Sequence, residues 1–272
     1  MVDKYAVVGN PISHSKSPQI HAAFAKQTGQ NISYEAVLAP LDGFAASVQD
    51  LIAQGFKGAN VTVPFKLEAF ALCDALTERA QAAGAVNTLT FTNGKISGDN
   101  TDGAGLINDI ALNLSIALQG AQILLLGAGG AAQGALLPLL NAQPAGITVA
   151  NRSLEKAHFM VQKIATQNAV CNITIRNYEN LQSQFDVVIN ATSAGLSECA
   201  LPIADVIFGK NCLAYDMMYG VETPFMAQAR ANGAQVADGL GMLIEQAAEA
   251  FYVWRNVRPE TPPVIAMLKN LK

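Results

Sequence analysis

Near the middle of the chain, Gly127, Gly129 and Ala132 fall at the G-x-G-x-x-G/A spacing of a dinucleotide loop, directly after the apolar run Ile123-Leu124-Leu125-Leu126. A glycine at the first position permits a tight turn. The second lets a backbone approach a pyrophosphate, and a small third residue lets the following helix pack closely on its strand. The pyrophosphate then sits on the first N–H groups of that helix, which makes Gly127, Ala128, Gly129, Gly130 and Ala131 the candidate cradle. A dinucleotide with a free ribose 2′-hydroxyl calls for Asp or Glu about 20 residues further on. This chain carries Asn151-Arg152-Ser153 instead, with Lys156 one turn later. A carboxylate there would repel a 2′-phosphate, whereas a guanidinium fork clamps one. Ser153 can cap the next helix and donate a hydrogen bond. These residues predict NADP, not NAD, as the cofactor.

Three stretches of the first half are more polar than a packed core would want. They are Gly9 to Pro18 (GNPISHSKSP), Asn60 to Lys66 (NVTVPFK), and Gly84 to Thr88 followed by Gly98 to Gly103 (GAVNT and GDNTDG). Strand ends and glycines there present hydroxyls, amides, one lysine and one carboxylate. That inventory suits a small polyhydroxylated acid.

The elements that must position these residues alternate in type. Strands are expected at Tyr5–Gly9, Ser33–Leu38 and Gly58–Val63, the last stopped by Pro64. Helices are expected at Pro18–Lys26, with Ser17 as N-cap, at Phe44–Ala53, Leu67–Cys73 and Glu78–Ala83. Val86–Phe91 and Lys95–Ser97 form a hairpin around Asn93-Gly94, a pair that tolerates positive φ. Asp102 opens a helix to about Leu118. Strands Ile123–Leu126, Ile147–Ala150, Asn172–Ile175, Asp186–Asn190 and Leu213–Asp216 then alternate with helices, a βαβ pattern. Helices Gly241–Trp254 and Pro263–Leu271 follow.

The 272 residues suit two domains. A net charge of −4 offers no field to hold nucleic acid. From Ile110 to Asn151 no side chain is charged, but glycines and Pro138 interrupt the stretch. No apolar run reaches the roughly 18 residues of a membrane span. Cys73, Cys171, Cys199 and Cys212 show no metal-ligand spacing and read as free thiols; no metal is expected, and none of His14, His21 and His158 reads as catalytic. The start, Met1 to Tyr5, has no signal-peptide pattern, so the expected location is cytoplasmic.

The three polar segments, the Gly127 loop and Asn151-Arg152-Ser153 together closely resemble the shikimate dehydrogenase family, over nearly the full length. Asp216-Met217-Met218-Tyr219 and the segment Asp238-Gly239-Leu240-Gly241-Met242 through Gln246 are similar to it as well. The resemblance implies an α/β chain with an N-terminal α/β substrate domain, a C-terminal Rossmann-type doubly wound dinucleotide-binding domain, and a cleft between them. The expected substrate and catalytic domain is 1–101, with the helices of 241–272 packing back on it, and the NADP domain is 102–240. It implies reversible reduction of 3-dehydroshikimate to shikimate with NADPH, by a monomer or homodimer. Ser13 and Ser15 would bind the substrate carboxylate. Thr62, Asn87 and Gln246 would bind ring hydroxyls, and Lys66 and Asp102 would be the catalytic pair. Met217, Tyr219 and Gly239 would lie near the nicotinamide or the closing substrate, and Thr192 beside the cofactor. Ser153 stands where many members have threonine, and the hydroxyl is kept.

The pair makes chemical sense. Hydride addition to a ketone builds negative charge on oxygen, which a lysine ammonium can stabilise and protonate. Asp102 can orient that ammonium and accept a bond from a ring hydroxyl. Two alternatives remain at this level. One is a quinate/shikimate dehydrogenase of broader specificity that prefers NAD, which Arg152 speaks against. The other is a non-catalytic NADP-binding regulator on the same fold, which should have lost the ionisable pair.

Overall fold

The computed structural model describes residues 2–165, 172–192 and 200–270. The chain forms two compact units, residues 1–105 with 243–272, and residues 106–242.

In the first unit, strands β1 (Asp3–Gly9), β2 (Ile32–Leu38), β3 (Phe56–Val61), β4 (Ala75–Leu76), β5 (Thr88–Thr92) and β6 (Lys95–Asp99) make a sheet in the order β2-β1-β3-β5-β6-β4. β1 runs parallel to β2 and β3, with Val8 opposite Val37 and Val61. β5 is antiparallel to both β3 and β6. The tight β5–β6 turn is the expected one, with Asn93 at φ 52 and Gly94 at φ 73, as a type I′ turn requires. Helices α1 (Ser17–Thr28), α2 (Phe44–Ala53), α3 (Lys66–Leu72) and α4 (Glu78–Ala83) cover the sheet. Val8, Phe44, Val48, Leu51 and Phe65 fill one core. Elsewhere in this unit the buried His21 stacks on Tyr34 at 4.0 Å between centroids, and Trp254 stacks on Tyr5 at 4.5 Å.

In the second unit α5 (Asp102–Asn108), which begins in the first, runs into a π-helical turn, Asp109–Asn113. Strands β7 (Gln122–Leu126), β8 (Gly146–Ala150), β9 (Ile173–Arg176), β10 (Phe185–Asn190), β11 (Phe208–Asp216) and β12 (Gln235–Ala237) form a sheet in the order β12-β11-β10-β7-β8-β9, with every pair parallel. Ile123, Leu124, Leu125 and Leu126 are fully buried, the reason for an unbroken apolar run in a strand covered on both faces. Helices α6 (Gly130–Asn141), α7 (Leu154–Ala165), α8 (Pro224–Ala231), α9 (Leu240–Arg255) and α10 (Pro262–Lys269) complete the chain, α9 from residue 243 and α10 belonging to the first unit.

Several local expectations are corrected. Lys16, not Ser17, is the N-cap of α1; Ser17 is its first helical residue, and the backbone N–H of Ser17 donates to Ser15 Oγ at 3.3 Å. The helix opened by Asp102 ends at Asn113, not near Leu118, and its last turn is π-helical. β9 and β10 are joined through a 3-10 turn, Tyr178–Asn180, instead of an α-helix. The short strands β4 and β12 carry too few residues for a periodic pattern to show. Cys73 and Cys212 are free thiols; Cys171 and Cys199 lie outside the described residues, as does Leu271. Among the described residues, no helix is long and apolar enough to cross a membrane.

Candidate active site

In the first unit the polar loops gather at the carboxyl ends of β1 and β3. Thr62 N donates to Val8 O at 2.9 Å and Asn10 N to Val63 O at 3.1 Å, so the loop with Ser13 and Ser15 adjoins the loop with Thr62 and Lys66. A side chain at Gly9 would collide with Thr62 Cγ2, so this approach requires glycine. Val86 N donates to Lys66 O and Asn87 N to Asp99 O, each at 3.0 Å, which ties in the third polar stretch.

Four of the expected side chains bond to one another. Lys66 Nζ lies 2.5 Å from Asp102 Oδ2, both side chains being partly exposed. The other carboxylate oxygen, Asp102 Oδ1, accepts Asn87 Nδ2 at 2.8 Å. Asn87 Nδ2 also donates to Gln246 Oε1 at 3.3 Å, and Asn87 Oδ1 accepts Thr101 N at 2.9 Å. Asp102 does not cap its own helix. The Asn100 side chain accepts Asp102 N at 3.1 Å, which leaves the Asp102 carboxylate for Lys66 and Asn87. Ser13 and Thr62 stand on the adjoining loops and make no side-chain bond to this quartet, and Ser15 Oγ already accepts Ser17 N.

A chain of charges that the sequence did not reveal runs beside these residues. Arg79 forks onto Asp99 through Nε and Nη2 at 2.7 and 2.6 Å, and its Nη1 donates to Glu249 at 2.8 Å. Arg258 bridges Glu249 and Glu245 at 2.6 and 2.9 Å, and Thr261 donates to Glu245. Asp99 lies just ahead of Asp102, and Glu245 and Glu249 flank Gln246 on α9. Burial pushes the Asp99 carboxyl up, but Arg79, Thr77 and Asn100 N outweigh it and hold the group below its usual range. Partners up to 170 residues apart in the chain leave no local pattern to read.

In the second unit Gly127 has φ 109, a conformation L side chains rarely adopt, and a Cβ there would press on Ala191 O. Gly129 is the N-cap of α6 with no capping side chain, and a Cβ built on it meets nothing within 4 Å. The loop therefore offers helix N–H groups to open space. A cavity of about 720 Å³ lies there, lined in part by Gly127, Ala128, Gly129, Asn151, Arg152 and Thr192. Gly130, Ala131, Ser153, Lys156, Met217 and Gly239 are not on its wall. Ser153 acts as the expected cap, its Oγ accepting Lys156 N at 3.4 Å, and Asn151 Nδ2 donates to Ser153 O at 2.8 Å. Tyr178 also lines the cavity; burial raises its phenol pKa against the opposing field of Arg152. Backbone donors, open volume and a guanidinium are what a dinucleotide 2′-phosphate needs, so the residues fit NADP.

The ends of β10 and β11 carry a second buried network. Asp216, fully buried, accepts Asn190 Nδ2 at 3.0 Å, Thr223 Oγ1 at 2.6 Å and Met218 N at 2.9 Å. Asn190 Oδ1 accepts Thr192 N and Oγ1 at 3.1 and 2.7 Å. Met217 N donates to Asn190 O at 3.0 Å and Gly239 N to Met218 O at 2.8 Å. A side chain on Gly239 would overlap Met217 O. Tyr219 is 42% exposed.

Three family models match the chain. They are described as the shikimate dehydrogenase substrate binding domain over residues 7–89, shikimate / quinate 5-dehydrogenase over 109–198, and the shikimate 5′-dehydrogenase C-terminal domain over 239–269. The shikimate dehydrogenase (NADP(+)) of Methylobacillus flagellatus is 58% identical over 270 residues, covering 98% of this chain and 99% of that protein. Among solved structures, an Ael1 enzyme from Pseudomonas putida superposes with a TM-score of 0.93 at 47% identity, covering 98% of each chain. The shikimate 5-dehydrogenase of Thermus thermophilus, solved in complex with NADP(H) and shikimate, gives 0.87 at 30% identity over 99% of each chain.

Proposed function

The chain belongs to the shikimate dehydrogenase family, and we propose that Lys66 and Asp102 carry its NADP-dependent reduction of 3-dehydroshikimate to shikimate. The observation that supports this assignment best is the 2.5 Å contact between Lys66 Nζ and Asp102 Oδ2, cross-bonded through Asn87 to Gln246. A regulator that had lost catalysis would have no need to keep such a pair.

NADPH, when bound, supplies the hydride. The Lys66 ammonium stabilises the oxygen that becomes negative and passes it a proton from Nζ. Asp102 keeps the ammonium aimed and accepts a bond from a ring hydroxyl. Thr62, Asn87 and Gln246 hold the remaining hydroxyls, and Ser13 and Ser15 the carboxylate. Tyr219 completes the substrate-binding set. Gly127 to Ala131 hold the pyrophosphate, Asn151, Arg152, Ser153 and Lys156 the phosphorylated ribose, and Thr192, Met217 and Gly239 the nicotinamide half. A cytoplasmic location and a monomeric or homodimeric state belong to the same reading.

Loss of NADPH absorbance on adding 3-dehydroshikimate tests the reaction, and NADP reduction with shikimate or quinate tests the breadth of specificity. A purified protein that binds NADPH and turns over neither acid would overturn the catalytic reading.

A further inference from the structure

A dinucleotide has two ends, and the strand order of the second unit sends them to different places. β7 is the first strand of its sheet, and its neighbours β8 and β10 lie on opposite sides of it. Dinucleotides lie across that switch point, at the strands' carboxyl ends. Arg152 follows β8, so the phosphorylated adenosine half belongs on that side. The nicotinamide half must then lie over the ends of β10 and β11, where Thr192 and Met217 to Tyr219 stand.

We propose that Asp216 is the positioning residue for the nicotinamide half of the cofactor. The proposal rests on the NADP reading above and deepens it. Asp216 is fully buried, so it acts through the groups it orients. A carboxylate only accepts hydrogen bonds. The Asn190 NH2 must therefore face Asp216, and the Asn190 oxygen must face Thr192. One carboxylate thus decides which way an amide points, and through it the setting of the Thr192 hydroxyl. Its second oxygen holds Met218 N, and Met218 O in turn holds Gly239 N. Thr223 pins the carboxylate itself and also caps α8, accepting Met226 N at 3.3 Å. Groups from both strand ends, Asn190 and Met218, bond to this one carboxylate, whereas Gly127, Gly129 and Arg152 do not.

Asp216→Asn keeps the shape and replaces one acceptor oxygen with an NH2, which must face either the Asn190 NH2 or the Met218 N–H. Two ligands separate the consequences: NADPH, and 2′-phospho-ADP-ribose, which lacks only the nicotinamide. Asp216→Asn should weaken NADPH binding on the order of tenfold, about the worth of one lost hydrogen bond to a charged group, and leave 2′-phospho-ADP-ribose unchanged. The fluorescence lifetime of bound NADPH, which the nicotinamide alone emits, should become heterogeneous. Thr223→Val, which removes one donor and keeps the carboxylate, should show the same selectivity on a smaller scale, and carries the test if Asp216→Asn does not fold. Equal weakening of both ligands, or of neither, would overturn the proposal. Wild-type protein that binds neither ligand would overturn the cofactor reading and the proposal with it.

Discussion

In the first unit the candidate site is made of side chains already bonded to one another, whereas in the second it is made of backbone donors beside open space. Lys66, Asp102, Asn87 and Gln246 satisfy each other before any ligand arrives. The Gly127 loop and the uncapped start of α6 do not. The difference follows from what each ligand offers. A pyrophosphate brings concentrated charge and needs only N–H groups pointing at it. A polyhydroxylated ring brings weak, directional hydroxyls, so its partners must be held in fixed orientation beforehand by a network behind them.

The largest effect should come from breaking the preformed side. Lys66→Ala should lower kcat by roughly 10²–10⁴-fold, the usual worth of general acid–base catalysis, with little change in NADPH affinity. Asp102→Ala should also be severe, and the double variant should lose less than the two single losses combined, because a coupled pair is not additive. Steady-state kinetics beside direct cofactor titration reads both. Near-normal kcat in Lys66→Ala would remove Lys66 as the proton carrier.

The first unit should also be the acid-sensitive one. His21 is fully buried on α1 against the Tyr34 ring, and burial lowers its pKa from 6.5 to about 3. The unfolded chain takes a proton near the upper value and the folded chain only near the lower. His21 should therefore add no pH dependence above 6.5 and should lower stability as pH drops from there toward 3, by ~1.4 kcal/mol per pH unit. Asp99, with its carboxyl held low, loses its contribution only as pH falls below the ordinary carboxylate value of 3.8. Urea unfolding across that range measures the slope, and His21→Phe should flatten its upper part. An unchanged slope would mean that His21 is not the group responsible.

On the open side the effect should be selective. Arg152→Ala should weaken NADP by roughly 10- to 100-fold, the worth of a charge-assisted bond, and leave NAD almost untouched. A variant that loses both alike would move the phosphate clamp elsewhere. The mildest change should be at the loop hydroxyls. Ser13→Ala with Ser15→Ala should raise KM for shikimate by at least about tenfold, the worth of a lost hydrogen bond to the charged carboxylate, with NADP binding unaffected. An unaltered KM would place the substrate carboxylate elsewhere.

Lys66, Asn87, Asp102 and Gln246 were legible as a set through resemblance, and the Gly127 loop and Arg152 through spacing. The groups that hold them were not. Arg79 looks like any helical surface arginine in the sequence, yet it joins Asp99 to Glu249. Asp216 was visible as part of a motif, but its burial and its three donors were not. Ser17-Pro18 before an apolar stretch carries the usual signature of a cap, but the chain turns one residue earlier, and the Ser15 hydroxyl takes the free N–H.

The sequence by itself determined the alternation of strands and helices, the glycine loop after a buried strand and the basic residue after the next one. Each is set by neighbours in the chain: apolar period, φ at glycine, side-chain charge at a fixed offset. Tertiary structure alone decided that Asp102 meets Lys66 and Asn87, and that Asp216, by taking the Asn190 NH2, leaves the Asn190 oxygen to Thr192. Those choices depend on which donors and acceptors meet when strands distant in sequence are paired. A hydrogen bond is decided by position in space, and the chain order does not state it.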